Sequence, residues 1–213
     1  NGKKKRDNDL VFKCAPLPGD ALNLIDLAGT YCAADKNTDG SRFNILSAVI
    51  SFSTAVKAEQ NHIETVGIIT PYAAQVRLIR AMLKDYYTKG TTHVSCATVH
   101  QFQGSESDVI VFDAVESYPK SAVGYLMGKE PNQVARLINV AITRGKGKVI
   151  TVANARFWEN VFKGTNHIFY KLLQHIKNGK HQVIDNHDKT LQPYIESVNP
   201  GRMINIFMNE QDA

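Results

Sequence analysis

The residues best placed for chemistry lie in one stretch, His93–Val115, where a polar turn stands between two apolar runs. Thr98 and Gln101 have the Thr-x-x-Gln spacing of a capping box, and Gly104 follows where a left-handed residue would end the turn. The run Val109–Phe112 is apolar on both faces, as a central parallel strand must be. Polar side chains between two such strands are expected at the carboxyl edge of a sheet, where α/β proteins bind ligands.

Two further segments have a similar make-up, one at residues 69–75 and one at residues 139–144. Each lies at a junction between a helical pattern and its neighbouring turn. Taken alone, each is explained at least as well by a turn or a helix cap as by a ligand site. The occurrence of all three segments in one chain favours a shared site. We therefore expect them to meet at one edge of one sheet.

Apolar runs and helical periodicity alternate along the chain, which predicts a mostly parallel sheet with helical crossovers. Strands are predicted at 22–26, 66–70, 94–97, 109–112 and 149–152, with an edge strand at 10–14 and a short strand at 203–208. Helices are predicted at 44–58, 73–87, 133–142, 156–163 and 168–176. The basic, glycine-broken residues 143–148 are predicted to form a turn, and the basic run at residues 3–6 a solvated tail.

Composition limits the class of protein. The chain has 213 residues, 43% of them apolar, which is enough for one good-sized core. The formal net charge of +5 permits a polyanionic partner without demonstrating one. Cys14, Cys32 and Cys96 are widely spaced, which favours an intracellular, reducing location, whether cytoplasmic or nuclear. No apolar run approaches the length that spans a membrane, so no membrane partner is expected.

Metal sites are disfavoured by the same inspection. His175, His181 and His187 lack the tight spacing and acidic partners of a metal site, so we expect them to be surface or packed histidines. The loop Asp35–Ser41 has some residues of a calcium loop, but no suitably placed glutamate follows it. No metal ligand is therefore predicted.

The three polar segments together resemble the second RecA-like domain of superfamily-1 helicases, in the branch that contains the nonsense-mediated-decay helicase. The family motifs Thr-Pro-Tyr-x-x-Gln, Thr-Val-x-x-Phe-Gln-Gly-x-Glu-x-Asp-Val-Ile and Asn-Val-Ala-x-Thr-Arg all occur in order within residues 41–154. The resemblance implies an α/β, three-layer RecA-like fold of the P-loop NTPase type. It also implies a lead-in at 1–40, a motor-domain core at 41–154 and a helical extension at 155–213.

The resemblance implies roles for individual residues. Arg144 matches the catalytic arginine finger, which neutralises charge that develops on the γ-phosphate of ATP. The other candidate residues fall into a nucleotide-binding group, Gln75, Arg77, Gln103, Gly104 and Glu106, and a group that binds single-stranded DNA or RNA, Pro71, Tyr72, Thr98 and His100. Arg77 and His100 lie beside matched positions and are included for that reason. The chain departs from the family pattern at Val76, Ser105 and Gly145; Arg77 or Arg80 could replace the arginine that Val76 displaces.

The sequence contains no Gly-x-x-x-x-Gly-Lys-Ser/Thr loop for phosphate and no matching acidic magnesium motif. The resemblance therefore implies that ATP and Mg²⁺ bind mainly to a first RecA-like domain outside this sequence, as the start at Asn1 also suggests. Alone, the chain should not hydrolyse ATP. A non-catalytic binding module of the same fold stays open as an alternative. A nucleotide-dependent nuclease subunit would need an acidic metal cluster, which the sequence does not show.

Overall fold

The computed structural model describes residues 8–88, 92–128, 131–179 and 181–186. Its strands are β1 (Leu22–Asp26), β2 (Ala34–Lys36), β3 (Arg42–Asn44), β4 (Val66–Thr70), β5 (Val94–Thr98), β6 (Ser107–Asp113), β7 (Gly145–Ala153) and β8 (Gln182–Ile184). Its helices are α1 (Asn8–Lys13), α2 (Ile45–Gln60), α3 (Ala73–Tyr86), α4 (Tyr125–Gly128), α5 (Pro131–Thr143), α6 (Ala155–Phe162) and α7 (Ile168–Asn178).

Six strands form one sheet in the order β5-β4-β6-β7-β1-β8, and every neighbouring pair in it is parallel. Strands β2 and β3 form a separate antiparallel hairpin. All residues of β4 and β6 are buried, because both strands lie inside the sheet and are covered on both faces. The predicted α/β fold with a parallel sheet between helices is confirmed.

The two faces of the sheet hold separate cores, and β6 shows how its sequence divides between them. Val109 and Val111 face the core formed with α2 and α3, whereas Ile110 and Phe112 face the core formed with α5, α6 and α7. Successive side chains of a strand point to opposite faces, so an uninterrupted apolar run supplies both layers at once. The result is a three-layer helix–sheet–helix arrangement.

The structure corrects two local predictions near the start of β7. The predicted edge strand at 10–14 is instead helix α1, because Val11 packs where Gly147 leaves room: a Cβ on Gly147 would lie 2.6 Å from Val11 Cγ1. The predicted turn at 143–148 is mostly strand, since β7 starts at Gly145. Buried Lys148 helps to hold this strand by donating hydrogen bonds to the carbonyl oxygens of Cys14 and Pro16, at 2.6 and 2.8 Å.

Strand β8 was not predicted, and it pairs with β1 through three residues. His187, the basic run at residues 3–6 and the predicted strand at 203–208 lie outside the described residues. Within the described ranges, no helix has both the length and the apolar character needed to cross a bilayer. The division into a lead-in, a core and an extension stays a prediction.

Candidate functional site

The predicted site residues divide between opposite edges of the sheet, which corrects the expectation of one shared edge. Strands β4 and β5 end at Thr70 and Thr98, so the polar residues that follow them lie at the carboxyl edge. Glu106 and Arg144 directly precede β6 and β7, so their backbones lie at the amino edge. The length of β6 places the two edges on the order of 20 Å apart.

The connection between β5 and β6 explains this division. Because β5 and β6 are parallel, residues 99–106 must return across one face of the sheet. Phe102 is buried on this path and lies against Gly67 of β4, where a Cβ would come within 2.5 Å of Phe102 Cζ. One motif therefore begins at the carboxyl edge and ends at the amino edge.

The predicted turn signals in this connection are confirmed. The Thr98 N–H donates to Gln101 Oε1 and the Gln101 N–H donates to Thr98 Oγ1, each at 3.4 Å, which is the reciprocal arrangement of a capping box. Gly104 has φ of +92°, a left-handed conformation that a glycine adopts without steric cost. Glu106 follows this turn and directly precedes β6.

At the carboxyl edge, a buried carboxylate joins three parts of the chain. Glu116 pairs with Arg42, accepts a hydrogen bond from the Tyr72 hydroxyl, and accepts the Gly124 N–H at 2.8 Å. Arg42 also donates to the carbonyl oxygen of Ala122 at 2.9 Å. Burial raises the pKa of Glu116, although these three partners oppose the rise, and burial together with the Glu116 charge raises the pKa of Tyr72. We call these residues the Glu116 cluster.

A second buried network lies beside it and holds Gln75. The Asn44 N–H donates to Gln75 Oε1 at 2.8 Å, and Gln75 Nε2 donates to the Asn44 carbonyl oxygen at 3.0 Å and to Asp113 Oδ2 at 2.6 Å. Asn44 is also the N-cap of α2. Burial raises the pKa of Asp113 to about 6. The Gln75 amide is thus committed to contacts inside the protein, and its nucleotide role stays a prediction.

An open cleft of about 640 Å³ lies above the Glu116 cluster. One wall is the β2–β3 hairpin, and the other comes from residues 123–126. Its lining contains all four residues predicted to bind nucleic acid, namely Pro71, Tyr72, Thr98 and His100. Thr98 is half-buried and His100 is exposed, whereas the Tyr72 ring is only 6% exposed.

The amino edge holds its candidate residues more loosely. Glu106 is exposed, and its carboxylate lies 3.6 Å from Lys146 Nζ. Gly104 is exposed on the preceding turn. Arg144 is half-buried, and its Nε is a buried nitrogen without a hydrogen-bond partner among the residues that the structure describes. A buried polar atom in this state calls for an explanation.

The structure does not bring the other predicted nucleotide residues to the amino edge. Arg77 is exposed on α3 and lies 3.7 Å from Asp39 of the β2–β3 hairpin. Arg80 donates from Nε to the Cys96 carbonyl oxygen at 2.8 Å. Gln103 is exposed and lines a separate pocket of about 550 Å³ beside α5. The described residues contain no group of three histidine, cysteine or acidic side chains that could hold a metal.

Sequence reasoning missed several residues that shape the carboxyl-edge cleft. Arg42 lies at the start of the predicted motor core, but the sequence assigned it no partner. Glu116 and Gly124 lie between the predicted strand at 109–112 and the predicted helix at 133–142, where the sequence indicated no site. Tyr125 and Lys36, which also line the cleft, lie outside every motif. The only available signal was an acidic residue shortly after a fully apolar strand, where α/β proteins bind ligands.

Residues 11–156 match the family model described as AAA domain. Helicase sen1 of Schizosaccharomyces pombe is 36% identical over 90 residues, which cover 42% of this chain and 5% of that protein. Regulator of nonsense transcripts 1 homolog of Drosophila melanogaster is 37% identical over 100 residues, or 44% of this chain and 8% of that protein. The chain therefore spans a small part of the length of these curated relatives.

A comparison of structures finds the C-terminal domain of a possible DNA helicase from Lactobacillus plantarum. The TM-score is 0.40 and the sequence identity is 11%, with 84% of this chain and 94% of that domain covered.

Proposed function

Because the chain belongs to the AAA domain family and is a second-domain region of the superfamily-1 helicase type, we propose that it is the second motor domain of an NTP-dependent DNA or RNA helicase. The observation that carries this proposal is the division of the motif residues between two sheet edges. The carboxyl-edge cleft would bind a single strand, and the amino edge would face a nucleotide held mainly by a first RecA-like domain.

Arg144 would supply the arginine finger. Its backbone is fixed between α5 and β7, and the Arg144 carbonyl oxygen accepts the Ser107 N–H at 3.0 Å. Its Nε has no hydrogen-bond partner among the described residues, so the side chain can rotate toward a ligand without breaking a hydrogen bond at that atom. A guanidinium in this position stabilises charge on a transferring phosphoryl group without taking part in bond formation.

ATP with Mg²⁺ would supply the phosphoryl group and the metal, and the residues present here fit only part of that requirement. Glu106 could accept a hydrogen bond from the ribose, and Gly104 allows the backbone to approach the nucleotide closely. No phosphate-binding loop occurs in the 213 residues. Nucleotide and metal would therefore be held mainly by the first domain, which this chain approaches from the amino edge.

At the carboxyl edge, the strand contacts would be mainly to the phosphate backbone and to stacked bases. Thr98 and His100 offer hydrogen-bond groups for phosphate, and Pro71 and Tyr72 form the apolar floor of the cleft. Binding of this kind tolerates many sequences and weakens as salt rises. Closure and opening of the two domains around the nucleotide would alternate their grips on one strand.

The proposal is tested in a protein that joins this chain to a first motor domain. Arg144→Ala should reduce strand-stimulated NTP turnover by about 10³-fold or more and leave single-strand affinity unchanged within about twofold. Arg156→Ala is a matched control, because Arg156 is an exposed arginine at the start of α6, on the opposite edge of the sheet from Arg144, and it does not line the cleft. Turnover retained by Arg144→Ala would overturn the arginine-finger role.

A non-catalytic module that binds nucleic acid or protein is the second candidate. The hydrogen bonds of the Gln75 amide favour this module, because Asn44 and Asp113 already bind the amide atoms that were predicted to contact the nucleotide. Strand binding without NTP turnover, in every longer protein that carries this chain, would support this module over the motor domain.

A further inference from the structure

We propose that Tyr125 is the base-stacking residue of the carboxyl-edge cleft, and that Lys36 on the opposite wall contacts the phosphate beside the stacked base. This inference rests on the proposed single-strand binding at that cleft. It assigns roles to two residues that lie outside all the helicase motifs of the chain, and it gives base stacking to Tyr125 rather than to Tyr72, the tyrosine predicted to bind the strand.

The two tyrosines of the cleft differ in how much of each ring a base could cover. Tyr72 is 6% exposed and its hydroxyl donates to buried Glu116, so its ring is part of the protein interior. Tyr125 is 62% exposed and lines the same cleft. Stacking needs an open ring face, since a base gains its energy by covering that face. Tyr125 meets this requirement and Tyr72 does not.

The Glu116 cluster fixes the backbone that carries Tyr125. The Gly124 N–H donates to Glu116 Oε1 at 2.8 Å. A Cβ on Gly124 would lie 2.5 Å from the Tyr72 hydroxyl oxygen and 3.0 Å from Arg42 Nε, so only glycine fits against the cluster. Tyr125 follows directly and starts α4. Its ring is therefore exposed on a backbone that these contacts already hold in place. Binding then costs less conformational entropy.

Lys36 lies across the cleft on the β2–β3 hairpin and is exposed. The nearby carboxylates are already engaged with other cations: Asp35 lies 3.1 Å from Lys120 Nζ, and Asp39 lies 3.7 Å from Arg77. Within the described ranges, the Lys36 ammonium forms no ion pair with a carboxylate. Its charge is thus available to a phosphate at the rim of the cleft. An aromatic ring and a cation on opposite walls suit a single strand, whose bases and phosphates lie on opposite sides.

The test measures binding of this chain to a fluorescent oligothymidylate and to an abasic strand of the same length. Tyr125→Ala should weaken oligothymidylate binding by about tenfold and leave abasic-strand binding unchanged, because the stacking partner is absent from that probe. Tyr125→Phe keeps the ring and should bind both probes like the wild type. Lys36→Ala should weaken binding to both probes and reduce the salt dependence.

Tyr31→Ala is the matched control, because Tyr31 is fully exposed but does not line the cleft. Direct contact is checked by photocrosslinking a strand that contains 5-bromouracil and mapping the crosslinked peptides. A crosslink at Tyr125 is expected. Crosslinks near Thr98 and His100 without one at Tyr125, together with unchanged binding by Tyr125→Ala, would overturn this inference alone. A wild-type chain that neither binds nor crosslinks at the cleft would overturn the proposed strand-binding function as well.

Discussion

At the carboxyl edge, two buried polar networks lie beneath the candidate strand-binding residues. At the amino edge, the candidate nucleotide residues Gly104 and Glu106 lie on a short exposed turn. Glu116 and Asp113 are buried and each accepts hydrogen bonds from several partners. Glu106 is exposed and has one ion pair at 3.6 Å. Arg144 has a buried nitrogen that lacks a hydrogen-bond partner in the described ranges.

The difference shows that the carboxyl-edge cleft is already held in place by contacts within the described chain, whereas the amino edge is not. Buried, fully paired polar groups are costly to rearrange, so they hold the cleft in one geometry before any ligand arrives. Exposed groups with weak partners can change position at little cost. A strand-binding surface benefits from the first arrangement. The proposed nucleotide surface would benefit from the second, because its contacts would be completed only when a first motor domain closes on this one.

The largest effect is expected at the Glu116 cluster. Glu116→Ala removes the partner of buried Arg42 and of the Tyr72 hydroxyl, and it should lower the free energy of unfolding by about 3–5 kcal/mol, the usual cost of an unpaired buried charge. Glu106→Ala is the matched carboxylate at the amino edge and should cost less than about 0.5 kcal/mol. Urea denaturation of both variants measures the difference. Equal losses would show that the buried carboxylate at the carboxyl edge contributes no more to stability than the exposed one at the amino edge.

A second prediction concerns the pH dependence of stability through Asp113. Its folded-state pKa of about 6 exceeds the ordinary value of 3.8, so the folded protein binds the proton more tightly than the unfolded chain does. Stability from this group is therefore fully present below pH 3.8 and is lost as pH rises through about 6, by about 3 kcal/mol in total. Asp113→Asn should lack this component. Unfolding by urea between pH 4 and 7 tests it: parallel curves for the two proteins would contradict the prediction.

Much of the fold could be predicted because its signals are local. The run Val109–Phe112 is apolar at every position, which indicates a strand covered on both faces, and the structure places it at the centre of the sheet. The spacing of Thr98, Gln101 and Gly104 specified a turn whose hydrogen bonds and left-handed glycine are both present. Patterns that depend on neighbouring residues can be recognised from one sequence.

The features that were missed depend on distant residues. A short apolar run before Cys14 suits a strand or a helix equally, and the decision rests on the space left by Gly147, far along the chain. Strand β8 has three residues, too few for a period to be recognised. Arg42 and Glu116 are 74 positions apart, so nothing in either local sequence indicates that they pair. Motif spacing identified candidate residues, but only the fold could place them at two edges.

A smaller loss is expected where the motif crosses between the edges. Gly67→Ala would place a Cβ 2.5 Å from Phe102 Cζ and 2.8 Å from Ile110 Cδ1, in a buried part of the sheet. Overpacking of this kind costs about 1–3 kcal/mol. Phe102→Leu should recover part of the loss in the double variant, although alone it destabilises by removing packing. A double-mutant cycle from urea denaturation measures this coupling. Strictly additive losses would show that Phe102 does not restrict residue 67.

The smallest effect is expected for Arg144→Ala. Because Arg144 Nε has no hydrogen-bond partner within the described part of the chain, its removal breaks no bond seen at that atom, and we expect a change in unfolding free energy within about 0.5 kcal/mol. Arg42→Ala is the matched arginine at the carboxyl edge, and it should cost several times more because Glu116 would stay buried without its cation. Thermal and urea denaturation of both variants give the comparison. A loss above about 1 kcal/mol for Arg144→Ala would show that the arginine supports the fold. Loss of NTP turnover in that variant could then be a consequence of unfolding, so the stability measurement decides how the turnover experiment is interpreted.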